Sequence, residues 1–296
     1  MTDNTILTLA AGRTEIEVWT LGARLNAARW TGLSDLLDGA TSVDEAKSAK
    51  LNHGSVAGPV ANRIAGGLAK IDGASYSFER NENGKTTLHS GSKSTRDANW
   101  TVTQQNEKSA VLTLDRAHMA DDFPGNRRIN AAYSVVADGF DLTFTATTDR
   151  PTLMNLALHP YWRLGTDRAG LRLQVPSARY LPVTTDTLPT GEIADTTGTI
   201  FDVSTLATPS DQIDHNYCFD TDGAMRQVAT LASDKVQLDV ESTAPGLQVF
   251  TGKPFGIALE PQHWPDAPHH AHFPSIVLSP GETYTQSSRY RFSHPG

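Results

Sequence analysis

Almost nowhere along this 296-residue chain do apolar side chains hold helical spacing for three turns. Short runs of alternating apolar and polar residues are instead broken by turn formers at intervals of roughly ten residues, the rhythm of strands in a β-sandwich. Residues 5–9, 14–19 and 25–30 open the series, punctuated by Gly12-Arg13 and Gly22. An Asp72-Gly73 turn between residues 68–71 and 75–78 predicts a hairpin, and Asp138-Gly139 predicts another between residues 128–136 and 141–147. Further strands are expected at 100–104, 109–114, 171–175, 179–183, 227–231, 235–242, 247–251, 275–278 and 284–292. Residues 35–49 are polar enough for a helical turn or a loop. No linker, low-complexity stretch, repeat or change of composition divides the chain. The expectation is an all-β fold, one domain over residues 1–296, of stacked and mostly antiparallel sheets.

Charge narrows the partners. With 25 Lys plus Arg against 33 Asp plus Glu, the net charge of -8 disfavours polyanions, and no basic cluster exceeds Arg127-Arg128. Neither nucleic acid nor an anionic membrane surface is an expected partner. Cys218 is the single cysteine, so no intrachain disulfide can form, and its apolar neighbour Phe219 suggests a buried thiol rather than a nucleophile. The first residues lack a cationic segment followed by an apolar one, and no window approaches 18 apolar residues; a cytoplasmic protein without signal peptide or membrane span is the expectation.

Chemistry concentrates in residues 255–268, FGIALEPQHWPDAP. A short apolar run ends there in the carboxylate Glu260, and Pro261, which cannot donate to a sheet ladder, predicts that Glu260 sits where a strand leaves its sheet. Such a carboxylate is either a general base in a pocket or a solvated strand end. Four other places set polar residues in apolar or glycine-rich surroundings: Asn62-Arg63, His89, His159 and Asp214-His215. Each has a structural reading as well: His159 as a core histidine, Arg63 as the partner of a carboxylate within the fold, Asp214 as a turn former. His263, His269, His270 and His272 lack an ordered ligand spacing and read as a solvated loop, so no metal is expected.

In order, ANRIAGG with Asn62 and Arg63, LHSG with His89, NLALHPYWRL with His159, QIDHNYCF with Asp214 and ALEPQHWPDAP with Glu260 and Gln262 resemble the aldose 1-epimerases, or galactose mutarotases. The closing PSIVLSPGETYTQSSRYRF is similar to that family too, and the resemblance runs from about residue 10 to residue 292. It implies a β-supersandwich and a cofactor-free interconversion of the α and β anomers of a free monosaccharide. Glu260 takes the place of the base and His159 that of the acid, and Asn62, Arg63, His89, Asp214 and Gln262 those of sugar-binding groups. Residue type alone adds Trp162 or Trp264 as a surface for a sugar face. Ser90, where the family commonly has glycine, and the run Pro160-Tyr161-Trp162-Arg163 depart from its pattern and bear on which sugar is preferred. A non-catalytic carbohydrate-binding protein, a sugar-phosphate mutarotase and a glycoside hydrolase using Asp214 and Glu260 are the other readings.

Overall fold

A computed structural model describes residues 4–34 and 36–296; Asp35, the first residue of the polar 35–49 segment, and the first three residues of the chain lie outside the described residues. Strands dominate, and their ladders are antiparallel. The largest sheet has eight strands in the order Arg172–Gln174, Arg226–Ala232, Gln237–Ser242, Tyr284–Ser293, Gly139–Thr148, Arg127–Val136, Ser109–Arg116 and Thr101–Gln105. A six-stranded sheet runs Tyr161–Trp162, Gly256–Gln262, Gly246–Lys253, Asp214–Cys218, Arg179–Tyr180 and Ala194–Asp195. Ile6–Ala11, Thr14–Trp19 and Arg24–Trp30 form a third sheet.

Alternation decides which face each strand buries. In Arg127–Val136 the core side is Ile129, Ala131, Tyr133 and Val135; in Gly139–Thr148 it is Phe140, Leu142, Phe144 and Ala146. These meet Leu247, Val249, Ile257 and Leu259 of the six-stranded sheet in one apolar cluster, where Trp162 packs against Tyr290 with ring centroids 5.7 Å apart. The three-stranded sheet joins the same cluster through Leu9, Ile16, Val18 and Leu25, and the Tyr133 hydroxyl donates to the Ala23 carbonyl at 2.8 Å. At about 25 cal/mol per Å² of apolar surface, such burial is the main stabilising term.

The 68–78 hairpin has Asp72 and Gly73 as its two turn residues, Ile71 facing Ala74, both with positive φ as a type I′ turn requires. The other hairpin is shifted from expectation by one residue. Val136 pairs with Gly139, so Ala137 and Asp138 form the turn. Gly139 belongs to the strand, where a Cβ would stand 1.9 Å from the Tyr290 carbonyl oxygen. Within 35–49 a single helical turn, Val43–Ala46, is capped by Ser42, whose hydroxyl accepts from Glu45 N–H.

Residues 151–164 are largely apolar, interrupted by Asn155, His159 and Arg163, and do not form one continuous strand. They contribute three two-residue strands to three different partners: Thr152–Leu153 to Val277–Leu278, Ala157–Leu158 to Val56–Ala57, and Tyr161–Trp162 to Gly256–Gln262. Of the interrupting residues, Asn155 and His159 fall between these strands and Arg163 follows the last. Only His159 lines the cavity where the site forms, while the Asn155 amide bonds the His263 backbone. Among the described residues, no helix is long and apolar enough to cross a membrane.

Candidate active site

The expected exit of Glu260 from its sheet is corrected by the structure. Gly256–Gln262 continues through Pro261, with Gln248 opposite Glu260, Leu247 opposite Pro261 and Gly246 opposite Gln262. The strand on the other side pairs only with Ile257 and Ala258, so Pro261 has no ladder bond to lose there, while its carbonyl accepts from Gln286 at 2.9 Å. Glu260 is therefore interior to the strand and 2% exposed. Since Ile257 and Leu259 face the core, Ala258, Glu260 and Gln262 take the opposite face. The neighbouring strands add Gln248 and Phe250, then Asp214 and Asn216, in the same cross-strand rows. Glu260, Gln262, Gln248, Asp214 and Asn216 thus gather with Ala258 and Phe250 on one face of the sheet.

His159 reaches this face from the break between two short strands. Its N–H donates to Ser55 O at 3.0 Å and its carbonyl accepts from Gly54 N–H at 2.7 Å, which extends the pairing of Ala157–Leu158 with Val56–Ala57 by one residue. Asn62 and His89 arrive together. Asn62 N–H donates to His89 Nδ1 at 3.1 Å, and His89 N–H donates to the Asn62 carbonyl at 2.9 Å. Both residues, and Ser90, have positive φ, a conformation that non-glycine residues hold only when their surroundings impose it. Ser90 is itself part of the restraint, since its hydroxyl donates to Val60 O and accepts from Val60 N–H, each at 2.9 Å.

Asn62, Arg63, His89, His159, Asp214 and Glu260 line one cavity of about 130 Å³, together with Asn52, Leu88, Tyr161, Gln248 and Phe250. Gln262 does not line it: it is wholly buried two residues beyond Glu260, and neither atom of its amide has a partner. Trp162 and Trp264 are also elsewhere. Trp162 lies in the main core and Trp264 in a second apolar cluster, its indole N–H donating to Pro245 O at 2.7 Å, so neither offers a sugar a face. Arg163 points toward Asp38 at 3.9 Å. The aromatic side chains at the cavity are Tyr161 and Phe250; the Tyr161 ring is tilted against His53, centroids 4.3 Å apart, and lies 5.1 Å from the His159 ring. Sequence reading passed over Tyr161 and Gln248; the signal available for Gln248 was one amide in the apolar run Leu247 to Phe250.

At the centre, His159 Nε2 lies 3.3 Å from Glu260 Oε1. His159 Nδ1, Glu260 Oε2 and Gln248 Oε1, all on residues lining the cavity, are buried without a partner, a concentration of unused polar atoms that a ligand could satisfy. Burial pushes the His159 imidazole down to about 3. Burial, and then the charge of Asp214, push Glu260 well above the usual carboxylate range. His89 is driven low by burial and by His159. With its Nδ1 accepting from Asn62 N–H, neutral His89 carries its proton on Nε2 and is a donor there. Asp214 accepts from Gln248 at 2.6 Å, and Arg63 makes a two-point ion pair with Glu82, as the structural reading of Arg63 anticipates.

His89, His159 and Glu260 also place one ligand atom each within 4.8 Å of one another, the only such group of three among the described residues. A metal would need the lone pair of His89 Nε2, and that would turn a protonated Nδ1 against Asn62 N–H. The donor set does not suit an ion. The four C-terminal histidines make no such group: His269 Nδ1 contacts Asp266 at 2.6 Å, and His272 Nε2 contacts the Gly191 carbonyl at 2.8 Å. Cys218 is buried, its thiol pushed up to about 12 by desolvation.

The family model described as Aldose 1-epimerase matches residues 5–291. The chain belongs to the aldose 1-epimerase family. It is 29% identical over 272 residues to a galactose mutarotase of Bos taurus, covering 81% of this chain and 78% of that one. An aldose 1-epimerase of Escherichia coli (strain K12) is also 29% identical, over 81% and 79% of the two chains. A maltose epimerase of Levilactobacillus brevis is 28% identical over 80% and 78%. Among solved structures, an aldose epimerase homologue from C. elegans superposes with a TM-score of 0.91 at 24% identity, covering 99% of this chain and all of that one. A galactose 1-epimerase from Lactobacillus acidophilus gives 0.86 at 21% identity over the whole of both chains. These two likenesses establish the fold, the stacked-sheet architecture of the aldose 1-epimerase family.

Proposed function

We propose that this chain interconverts the α and β anomers of a free aldose by acid/base ring opening, with Glu260 as base and His159 as acid. The observation that carries the reading is the buried 3.3 Å approach of His159 Nε2 to Glu260 Oε1. Ring opening removes a proton from the anomeric hydroxyl and delivers one to the ring oxygen, and both oxygens are bonded to the same carbon. An acid and a base that serve them must be close neighbours, whereas the carboxyl pairs of glycosidases stand roughly 5–9.5 Å apart to straddle a scissile bond.

Glu260 takes the hydroxyl proton as the bond from the anomeric carbon to the ring oxygen breaks, and His159 protonates that oxygen. Rotation about the adjacent carbon–carbon bond exposes the other face of the aldehyde. Reclosure reverses both proton transfers, so no cofactor is consumed. In the free site burial favours the neutral pair, with the shared proton on Glu260; sugar hydroxyls that donate to the carboxylate favour the working tautomer, ionised Glu260 beside protonated His159. The Nε2–H of His89 is a donor toward the ring oxygen, while Asn62, Arg63 and Asp214 bind ring hydroxyls. Gln262, which does not line the cavity, has no sugar contact in this reading.

Polarimetry tests this directly. Purified protein is expected to speed the decay of optical rotation of freshly dissolved α-galactose or α-glucose. Glu260→Gln and His159→Ala should each lower the rate by about 10²–10⁴-fold. A folded wild-type protein that accelerates no aldose would reject the reading and leave carbohydrate binding without turnover.

A further inference from the structure

Among the described residues Arg63 is the one Lys or Arg lining the cavity, and its charge is already matched. Its Nε donates to Glu82 Oε2 and its Nη2 to Glu82 Oε1, both at 2.8 Å, in a half-buried two-point pair. Glu82 is in turn fixed. Thr86 Oγ1 donates to Oε2 at 2.7 Å, and Glu82 N–H and Thr86 N–H each donate to the other residue's carbonyl, closing a tight turn around the carboxylate. Burial opposes ionisation of Glu82, but the hydrogen bonds from Arg63 and Thr86 outweigh it, and the carboxyl lies below its ordinary value. Nη1 is the part of the fork without a hydrogen-bond acceptor among the described residues. The acidic groups lining the cavity are Asp214 and Glu260, the latter pushed toward its neutral form by burial.

We propose that Glu82 is a specificity-determining residue: by occupying two of the three nitrogens of Arg63 it presents this arginine to the cavity as a charge-compensated hydroxyl donor, so that the site accepts neutral aldoses and discriminates against anionic ones. The inference rests on the mutarotase reading and names its substrate class. A sugar carboxylate or phosphate would compete with Glu82 for the same two-point geometry and would face Asp214 with, among the described residues, no second Lys or Arg lining the cavity.

The test compares glucose with glucuronate, which differ in one carboxylate, by polarimetry and by calorimetric titration of the full chain. Wild type should favour glucose. Glu82→Gln should narrow the ratio of the two kcat/KM values, and of the two affinities, by at least about tenfold. Adding Arg63→Gln to that variant should abolish the gain. Should Glu82→Gln not fold, Thr86→Val, which loosens the same carboxylate, should move the ratio less but in the same direction. Equal losses for both sugars would make Glu82 a structural residue only and overturn the proposal, as would a wild type that takes both alike. If wild type binds sugars without accelerating mutarotation, the activity reading fails while the calorimetric ratio still decides on Glu82; if it binds neither sugar, both fall.

Discussion

Glu260 and His159 sit where a charge on either is costly, and that sets their titration. A pair that works with one shared proton loses activity when a second proton is added and when the one it holds is lost. His159 is held at about 3 and Glu260 well above its usual range, so on the acid side the rate should not fall near pH 6.5 but only in stronger acid, and the other limb should follow the raised Glu260. An acid limb centred near 6.5 in a kcat/KM profile would mean that His159 titrates like an exposed imidazole. Stability carries the opposite mark. A carboxyl whose folded value is raised binds its proton more tightly folded than unfolded, so its contribution declines as pH rises from about 4.5 toward the folded value. Glu260→Gln, which cannot ionise, should therefore melt higher than wild type, by a margin that grows with pH in differential scanning calorimetry. Because the His89 tautomer is tied to Asn62 N–H, prior dialysis against EDTA should leave the mutarotation rate unchanged.

At the scale of single elements, two close fits replace what composition suggests. Gly139 reads as a turn residue, yet its place is in a strand beside Tyr290, where a β-carbon would meet backbone. Gly139→Ala should cost about 1–3 kcal/mol, read as a lower urea midpoint. Ser90 holds a left-handed backbone position that suits glycine, and its two hydrogen bonds to Val60 offset the positive φ. Ser90→Gly gives up the bonds but relieves the backbone, whereas Ser90→Ala gives up the bonds and keeps the strain. The alanine variant should be the less stable by about 1–2 kcal/mol, and equal midpoints would show that the left-handed backbone costs little here.

Over the whole molecule, one apolar cluster joins Leu7 and Leu9 near the start of the chain to Tyr290 and Phe292 near its end. A single cooperative transition is expected in urea, with tryptophan fluorescence and far-UV circular dichroism coincident; two separated transitions would divide the chain into domains. Much of this architecture was legible in advance, because alternation and turn chemistry are local properties: the strands at 14–19 and 68–71 and the turn at Asp72-Gly73 follow from neighbouring residues alone. The break-up of 151–164 was not, since nothing local says that three consecutive pieces will choose three partners. The same division runs through the site. The sequence by itself determined the sheet-forming rhythm, the acidic balance, and the residue types and order that resemble one family. Tertiary structure alone decided that Asn62, His89, His159, Asp214 and Glu260 share a cavity while Gln262, Trp162 and Trp264 stay outside it. It also decided that Arg63 is compensated by Glu82 and that burial pushes His159 down and Glu260 up, because distance, burial and pairing belong to the packed chain and not to any stretch of it.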